Sequence, residues 1–565
     1  MFFTQNSIGF MENKVTIHCT NTNTYKDFPA GVNLIEVLKG FDVKPQFKIV
    51  ASRVNNKVEP LDYNVFHNKT VSFVDLIEPS GMRTYVRSLC FLLAKAVAEI
   101  FPNAQLHIEH PISLGYYCKI NKVDNINQEM VEALKSKMQE YIDADMRFER
   151  VEEETEKVVK MFRERGFEDK ALLLETSGDL YSQYYKLNGS VDYFYGCLVP
   201  STGYIDLFGL EIYNNGLLLR VPNRKNPVEL EPIIPQDKMY SVYQEQLNFL
   251  NIIGLNNVGD MNKANQKGMM PGIIKVSEAL QEKTIANIAT EIATRAQDGV
   301  KVVLVSGPSS SGKTTFRMRL EVQLMTNLIK PVGLSLDDYF VDREMTPLDE
   351  DGAYDFESLY ALDIPKFNED LSKLLTGEEI ELPSFNFTTG KREYKGHTLK
   401  LDEHSILVIE GIHALNPDLT NSIPDYQKFK VYVSALTTIS LDNHNWIPTT
   451  DNRLLRRLIR DYRYRSYSAI DTLSRWPSVR KGEDKWIFPY QENADVMFNS
   501  AMLYEFAALR RYAEPILSQV PNNAPEYAEA HRLLKFLKYF NYISDRELPP
   551  TSLLREFLGG SSFKY

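Results

Sequence analysis

Cysteine is scarce in this chain: Cys19, Cys90, Cys118 and Cys197 are the 4 in 565 residues, and no two form a C-x-x-C pair. That spacing excludes zinc ribbons and disulfide frameworks and suits a reducing compartment. No apolar run approaches the ~18 residues that a membrane-spanning helix needs. The N-terminus has no basic stretch leading into an apolar core, so no secretory leader is expected and the cytoplasm is the expected location. Positive charge is also in deficit. The 64 Lys and Arg against 75 Asp and Glu leave a net charge of -11. This argues against a generic nucleic-acid binder but leaves room for a local basic groove. No internal repeat or low-complexity tract is present. What remains, 25% charged and 43% hydrophobic, is ordinary globular composition. The length suits about three or four domains.

The most informative stretch runs from Val302 to Thr315. An apolar strand, Val302-Val303-Leu304-Val305, enters the loop Gly307-Pro308-Ser309-Ser310-Ser311-Gly312-Lys313-Thr314-Thr315, which has the pattern G-x-x-x-x-G-K-T. A tight loop with few bulky side chains lets main-chain N–H groups wrap phosphate oxygens. Lys313 adds positive charge near the β- and γ-phosphates, and the Thr314 hydroxyl suits a Mg²⁺ ion. The helix that follows, with Phe316, Leu320, Leu324 and Leu328 on one repeat, offers its positive end to the same anion. The strand is β-branched, as a buried parallel strand should be. The stretch implies binding of a nucleoside triphosphate.

Strands and helices then alternate. Strands are expected at 332–336, 405–409, 429–433 and 494–498, which implies a parallel α/β sheet with both faces covered. Ligands in such sheets sit beyond the strands' carboxyl ends. Asp337-Asp338 and Glu410 each follow a strand directly. One aspartate should accept the acceptor's proton or hold the metal, while its neighbour caps a turn. Glu410 suits an acid that orders Mg²⁺ through water. Farther on, Arg453, Arg456, Arg457 and Arg460 fall on one helical arc, with Leu454, Leu455, Leu458 and Ile459 opposite. An arginine-only face is expected to clamp phosphate, since planar forks suit it.

The N-terminal half reads differently. Residues 14–76 form a small β-rich module with a short helix at 32–38. A long apolar helix starts at Arg83 and closes at Phe101-Pro102. Charged helices are expected at 128–142 and 152–165, a β-rich stretch at 184–219 and a helix at 277–295.

Taken together, the motifs of residues 300–519 resemble the uridine kinase and phosphoribulokinase family of P-loop kinases. The resemblance rests on the phosphate loop, Ser335-Leu336-Asp337-Asp338-Tyr339-Phe340, Asp355-Phe356-Glu357 with Ala361-Leu362-Asp363, Pro383-Ser384-Phe385-Asn386-Phe387, Ile409-Glu410-Gly411-Ile412 and Arg456-Arg457-Leu458-Ile459-Arg460-Asp461. It implies Asp337 as the base that deprotonates a ribose 5′-hydroxyl, Glu357 on the ribose hydroxyls and Arg457 on the substrate. Arg460 and Arg465 would meet the triphosphate from a lid. Mg²⁺ with ATP is the implied cofactor pair, with Thr314, Glu410 and Asp337 nearest the metal. Two departures stand out. Phe385 and Gly390 occupy places where uridine kinases carry a tyrosine and a histidine around the pyrimidine, and Tyr467 replaces a second lid arginine.

The N-terminal half is similar to threonyl-tRNA synthetase, first its ubiquitin-like TGS module and then its editing domain. Arg87-Ser88-Leu89-Cys90-Phe91, the segment His110 to Cys118 and the segment Asp192 to Pro200 carry this likeness. The four places of the editing ligands read Arg87, Phe91, Phe194 and Leu198, which cannot perform that chemistry. His107 and His110 are too few for zinc.

The expected architecture is therefore multidomain. A TGS-like module spans 1–76, an editing-like α+β domain 77–234, a helical connector 235–297 and an α/β P-loop kinase domain 298–565. The expected activity is phosphoryl transfer from ATP to a nucleoside 5′-hydroxyl, uridine or cytidine first. Another small alcohol or sugar phosphate, or a tRNA-sensing NTPase, stands as the alternative. RNA binding by the N-terminal half and a homo-oligomer are both compatible with the sequence; a membrane partner is not expected.

Overall fold

The computed structural model describes residues 14–350 and 352–565. Residues 1–13, where the first expected module begins and where the reading of no leader falls, lie outside the described residues. The chain divides into two compact units. The first holds residues up to Ile234 together with Leu441–Trp446 and Val520–Phe536, and the second holds Pro235–Ser440, Ile447–Gln519 and Leu537–Tyr565.

In the first unit, strand Lys14–Cys19 pairs with Thr24–Pro29 on one side and Lys69–Asp75 on the other. Ile49–Val54 and Lys57–Glu59 extend that sheet. Helix Leu34–Gly40 covers it, capped by the Asn33 side chain on the Glu36 N–H. The long helix Pro79–Ile100 begins with proline in its first turn and is buried along most of its length. It packs in a core with strands Leu106–Ile112 and Gly115–Ile120 and helix Gln128–Asp143. The expected helix at 152–165 divides: Glu149–Glu154 is a strand paired antiparallel with Tyr181–Leu187, and only Thr155–Glu164 is helical. Four glutamates among the six residues of that strand hid its period.

The segment Leu441–Trp446 is fastened into this unit by a buried ionic cluster. The Lys170 ammonium lies 2.8 Å from Asp192 and 2.9 Å from Asp442, and His444 Nδ1 is 2.7 Å from Asp192. Burial alone would push the ammonium pKa down, but the two aspartates hold it above its ordinary value.

In the second unit a five-stranded parallel sheet is built from β1 (Val302–Ser306), β2 (Lys330–Ser335), β3 (Ser405–Glu410), β4 (Lys428–Ser434) and β5 (Val496–Asn499), in the order β2-β3-β1-β4-β5. The last strand starts two residues later than expected, because Ala494 and Asp495 complete the turn that leads into it. Alternation along β1 places Val302 and Leu304 in one apolar core and Val303 and Val305 in another, so both faces are covered. The helices that bear on the site are α1 (Met270–Gln297), α2 (Lys313–Thr326), α3 (Thr449–Tyr464) and α4 (Ala469–Trp486). Ile285, Ile288, Ala289 and Ile292 of α1 pack in the same core as Val303 and Phe316, so this connector helix is part of the sheet's cover. Helix α4 opens with a capping box between Ser468 and Asp471.

Candidate active site

Parallel register brings the site together. Glu410 at the end of β3 stands opposite Val305 of β1 and Ser335 of β2. The loop after β1, the turn after β2 and the end of β3 therefore open at one edge.

The loop's glycines are required by space and backbone alike. A Cβ on Gly307 would lie 2.0 Å from the Val433 carbonyl oxygen. Gly312 has φ +86°, and a Cβ there would meet Leu553 at 2.6 Å. The loop's carbonyls are already engaged. Pro308 O accepts from Lys313 Nζ at 3.2 Å, Ser309 O from Arg453 at 3.1 Å and Ser311 O from Arg456 at 3.2 Å. With those dipoles neutralised, the N–H groups and Lys313 set the local potential. Lys313 is buried and its pKa is pushed down by that burial, against the opposing charges of Glu410 and Asp337.

Glu410 is 7% exposed. The Thr314 hydroxyl donates to its Oε1 at 3.1 Å, while Oε2 is buried without a partner among the described residues. Burial, with Asp337 adding like charge, pushes this carboxyl up to about 7. A hydroxyl, a carboxylate with a free oxygen and a phosphate cradle form the donor set that suits Mg²⁺, which is bound by few protein oxygens and keeps much of its water. Among the described residues no group of three or more His, Cys, Asp or Glu side chains could hold a metal by itself.

The paired aspartates part company. Both lie in the 3₁₀ turn Leu336–Tyr339, where the Ser335 hydroxyl receives the Asp337 N–H. Asp338 accepts the Phe385 N–H at 3.4 Å and so steadies the hairpin Ile380–Asn386 and Lys391–Leu399. The Asp337 carboxylate has no hydrogen bond or ion pair among the described residues and opens into the cleft. Enclosure raises its pKa, with Lys313, Arg465 and Arg460 opposing.

The arginine helix corrects an expectation. Arg453 and Arg456 are buried and paired with acids rather than aimed at a ligand. Arg453 Nη2 donates to Glu483 at 2.8 Å and Arg456 Nη2 to Glu505 at 2.8 Å. The two brace the phosphate loop from behind. Arg457 and Arg460 remain at the site. Arg457 Nη1 donates to Ser309 Oγ at 3.0 Å, and burial together with Arg465 lowers Arg460 to about 10. Arg465 pairs with Asp461 at 3.2 Å. Tyr467, at the place where the resemblance implies a second lid arginine, lies under the Arg475 guanidinium at 4.5 Å.

Glu357, expected on the ribose hydroxyls, has its Oε2 buried without a partner among the described residues. Burial and the Glu483 charge push the carboxyl up to about 7. Gly482 makes room for it, since a Cβ there would lie 2.2 Å from the Glu357 Cβ. His413 went unnoticed in the sequence. It is 1% exposed, both ring nitrogens lack a hydrogen-bond partner among the described residues, and it sits beside the backbone of Glu357 and Ser358, neutral because burial lowers it to about 4. Its signal was its place three residues after Glu410. Phe385 packs against Phe340 and Phe387, with ring centroids 5.6 Å and 5.1 Å away. At Gly390, with φ +70°, the missing side chain leaves room for Arg343, whose Nε lies 2.8 Å from where a Cβ would stand.

Residues 302–505 match the phosphoribulokinase/uridine kinase family. Among curated proteins, the uridine kinase of Ureaplasma urealyticum is 26% identical over 196 residues, which cover 34% of this chain and 86% of that protein. That likeness lies in the C-terminal part. The N-terminal part is similar to threonine–tRNA ligase of Carboxydothermus hydrogenoformans, 24% identical over 189 residues. That match covers 33% of this chain and spans only 30% of the ligase. The solved structure of a possible uridine kinase from Bacillus stearothermophilus is 20% identical and covers 36% of this chain and 89% of its own, with a TM-score of 0.24. The C-terminal part thus matches the model of this kinase family and is similar to uridine kinases, while the N-terminal part shares sequence with a fraction of a synthetase. In that half, Phe91, Phe194 and Leu198 lie in one apolar core, the two phenylalanine rings 5.9 Å apart. Among the described residues no helix is long and apolar enough to cross a membrane.

Proposed function

We propose that the chain transfers the γ-phosphate of ATP to the 5′-hydroxyl of a nucleoside, with Asp337 as the general base. The observation that carries this reading is the free Asp337 carboxylate at the end of β2, in the field of Lys313 and Arg460. Phosphoryl transfer asks the protein for positioning and charge neutralisation. Lys313 and the loop amides hold the β- and γ-phosphates, Arg460 and Arg465 reach the triphosphate, and Asp337 takes the hydroxyl proton as the oxygen attacks. Thr314 and Glu410 are the residues that would hold Mg²⁺. That ion, when bound, neutralises charge on the phosphate oxygens.

Glu357 and His413 offer hydrogen-bonding atoms to a ribose, with Arg457 beside them. Base selection should be weak, because Phe385 stacks without donating and Gly390 has no side chain. The arginine at that turn, Arg343, favours a second acceptor class, a sugar phosphate. RNA binding by the N-terminal half remains a proposal that rests on the partial ligase likeness. The test is transfer of labelled phosphate from ATP to a panel of nucleosides and sugar phosphates, with Asp337→Asn as the control. Labelled nucleoside monophosphate from the wild type alone supports the reading. Transfer only to sugar phosphates moves the acceptor, and transfer to neither class removes the proposal.

A further inference from the structure

The phosphate loop is met by a segment that follows Glu505, where the family match ends. Leu553 and Phe557 are fully buried in the core that holds Val305, Phe316 and Leu320. Leu553 reaches the loop itself, since a Cβ on Gly312 would lie 2.6 Å from it. Between these two anchors, Glu556 accepts the Thr315 hydroxyl at 2.6 Å, in the first turn of α2. The chain then bends at Gly559 and Gly560, with φ +81° and +74°. Gly559 passes close by the end of α3, where a Cβ on it would lie 2.8 Å from Arg463 Nη2 and 3.1 Å from the Tyr464 hydroxyl. The segment returns to α2, and there the Tyr565 hydroxyl lies 3.0 Å from Thr315 Oγ1 and 3.2 Å from Ser561 Oγ.

The direction of these bonds follows from counting protons. The Thr315 hydroxyl has one, and it goes to the Glu556 carboxylate. The contact with Tyr565 is therefore donated by the phenol, and Ser561 donates to the phenol in turn. This relay pins the hydroxyl edge of the tyrosine to α2, while the residue stays 59% exposed. The place matters as well. Lys313 and Thr314, the two residues before Thr315, serve the β- and γ-phosphates and the metal in the reading above. Loop amides cradle the α- and β-phosphates, and the first N–H groups of a helix have no partner within it. Thr315, next along α2, falls on the α-phosphate side, where the nucleoside leaves the loop.

We propose that Tyr565 is the platform on which the base of the donor nucleotide stacks, with Glu556 and Thr315 as the residues that position it. The proposal rests on the donor site assigned above and adds the residue that holds the donor's nucleoside. An aromatic ring anchored by its hydroxyl and open on its face is what stacking requires. Every base has a π-face, so the ring contributes affinity without choosing among bases.

The test is calorimetry of the full chain with a non-hydrolysable ATP analogue, the corresponding GTP analogue and inorganic tripolyphosphate, each with Mg²⁺ and without acceptor. Tyr565→Ala should weaken both nucleotides about five- to a hundredfold, the usual contribution of one stacked base, and leave tripolyphosphate within about twofold of wild type. Tyr565→Phe keeps the ring and loses only its anchor, so its nucleotide affinities should fall between those of wild type and Tyr565→Ala. Equal weakening of tripolyphosphate would make Tyr565 a prop for the loop and overturns the proposal. Tighter binding of all three ligands, the mark of a plug, overturns it too, as does no change in any. A wild type that binds tripolyphosphate as well as the nucleotides sinks the platform and leaves the loop reading intact; one that binds none of the three removes both.

Discussion

Removing the charge from Glu410 should make the ligand-free protein more stable while disabling it. The Glu410 carboxyl titrates at about 7 instead of the usual 4.5 because it is buried. The unfolded chain therefore ionises more readily than the folded one, and each pH unit of that gap costs the folded state about 1.4 kcal/mol once both are ionised. The penalty is absent below about pH 4.5, grows through the interval and is complete above about 7, where it reaches roughly 3 kcal/mol. Glu410→Gln keeps an acceptor for the Thr314 hydroxyl but carries no charge. Denaturant unfolding without nucleotide or Mg²⁺ should give equal stabilities near pH 4.5 and a variant more stable by roughly 2–3 kcal/mol at pH 8. Adding Mg²⁺ and ATP should reverse the order, because only the wild type gains the full binding energy. A stability difference that does not change with pH, or a variant weaker at pH 8, would refute the argument.

Asp337→Asn should lower kcat by about 10² to 10⁴, as loss of a positioned base does, with KM for ATP little changed. Asp338→Asn keeps an acceptor for the Phe385 N–H and should leave kcat within a few-fold of wild type in the same steady-state assay. Glu505→Ala strands the Arg456 guanidinium and should cost about 3–5 kcal/mol in an unfolding titration. Gly312→Ala forces a side chain into Leu553 at φ +86°. It should weaken ATP binding measured by calorimetry by about five- to a hundredfold, since strain at such a position costs about 1–3 kcal/mol.

The parallel sheet was legible because its signals are local. A β-branched strand that runs into glycine or ends in glutamate declares its burial, and β1 and β3 follow that rule; β2, with Val332 as its one β-branched residue and Leu334 as its one buried residue, does so only weakly. The phosphate loop was legible for the same reason, since Gly307, Gly312, Lys313 and Thr314 are adjacent in the chain. The acceptor side was only partly so. Glu357 could be named through likeness to the kinases. The space that admits it is provided by Gly482, more than a hundred residues later, and no pattern connects the two. His413 was hidden by its ordinary surroundings, because a histidine between isoleucine and alanine reads as core. Strand Glu149–Glu154 failed through composition: a glutamate-rich edge strand shows no apolar alternation, and helical propensity filled the gap.

Helix α3 shows why a correct periodicity can still mislead about chemistry. The apolar arc of Leu454, Leu455, Leu458 and Ile459 is buried, as an amphipathic helix requires. The opposite arc was expected to meet anions, and it does, but the first two anions are Glu483 and Glu505 of the protein itself. A guanidinium's fork fits a carboxylate as well as a phosphate, so residue type cannot separate the two partners; only the elements that fold over each arginine can. Helix α4 brings Glu483 to Arg453, and the segment after β5 brings Glu505 to Arg456. Arg457 and Arg460 receive no such glutamate; their nearest acid is Asp461 of α3 itself, at 3.3 Å and 3.8 Å. The braced pair holds the loop's carbonyls, and the second pair stays beside the cleft. A single run of basic residues thus both braces the loop and leaves positive charge beside the cleft, and the two parts divide by which arginines the protein neutralises.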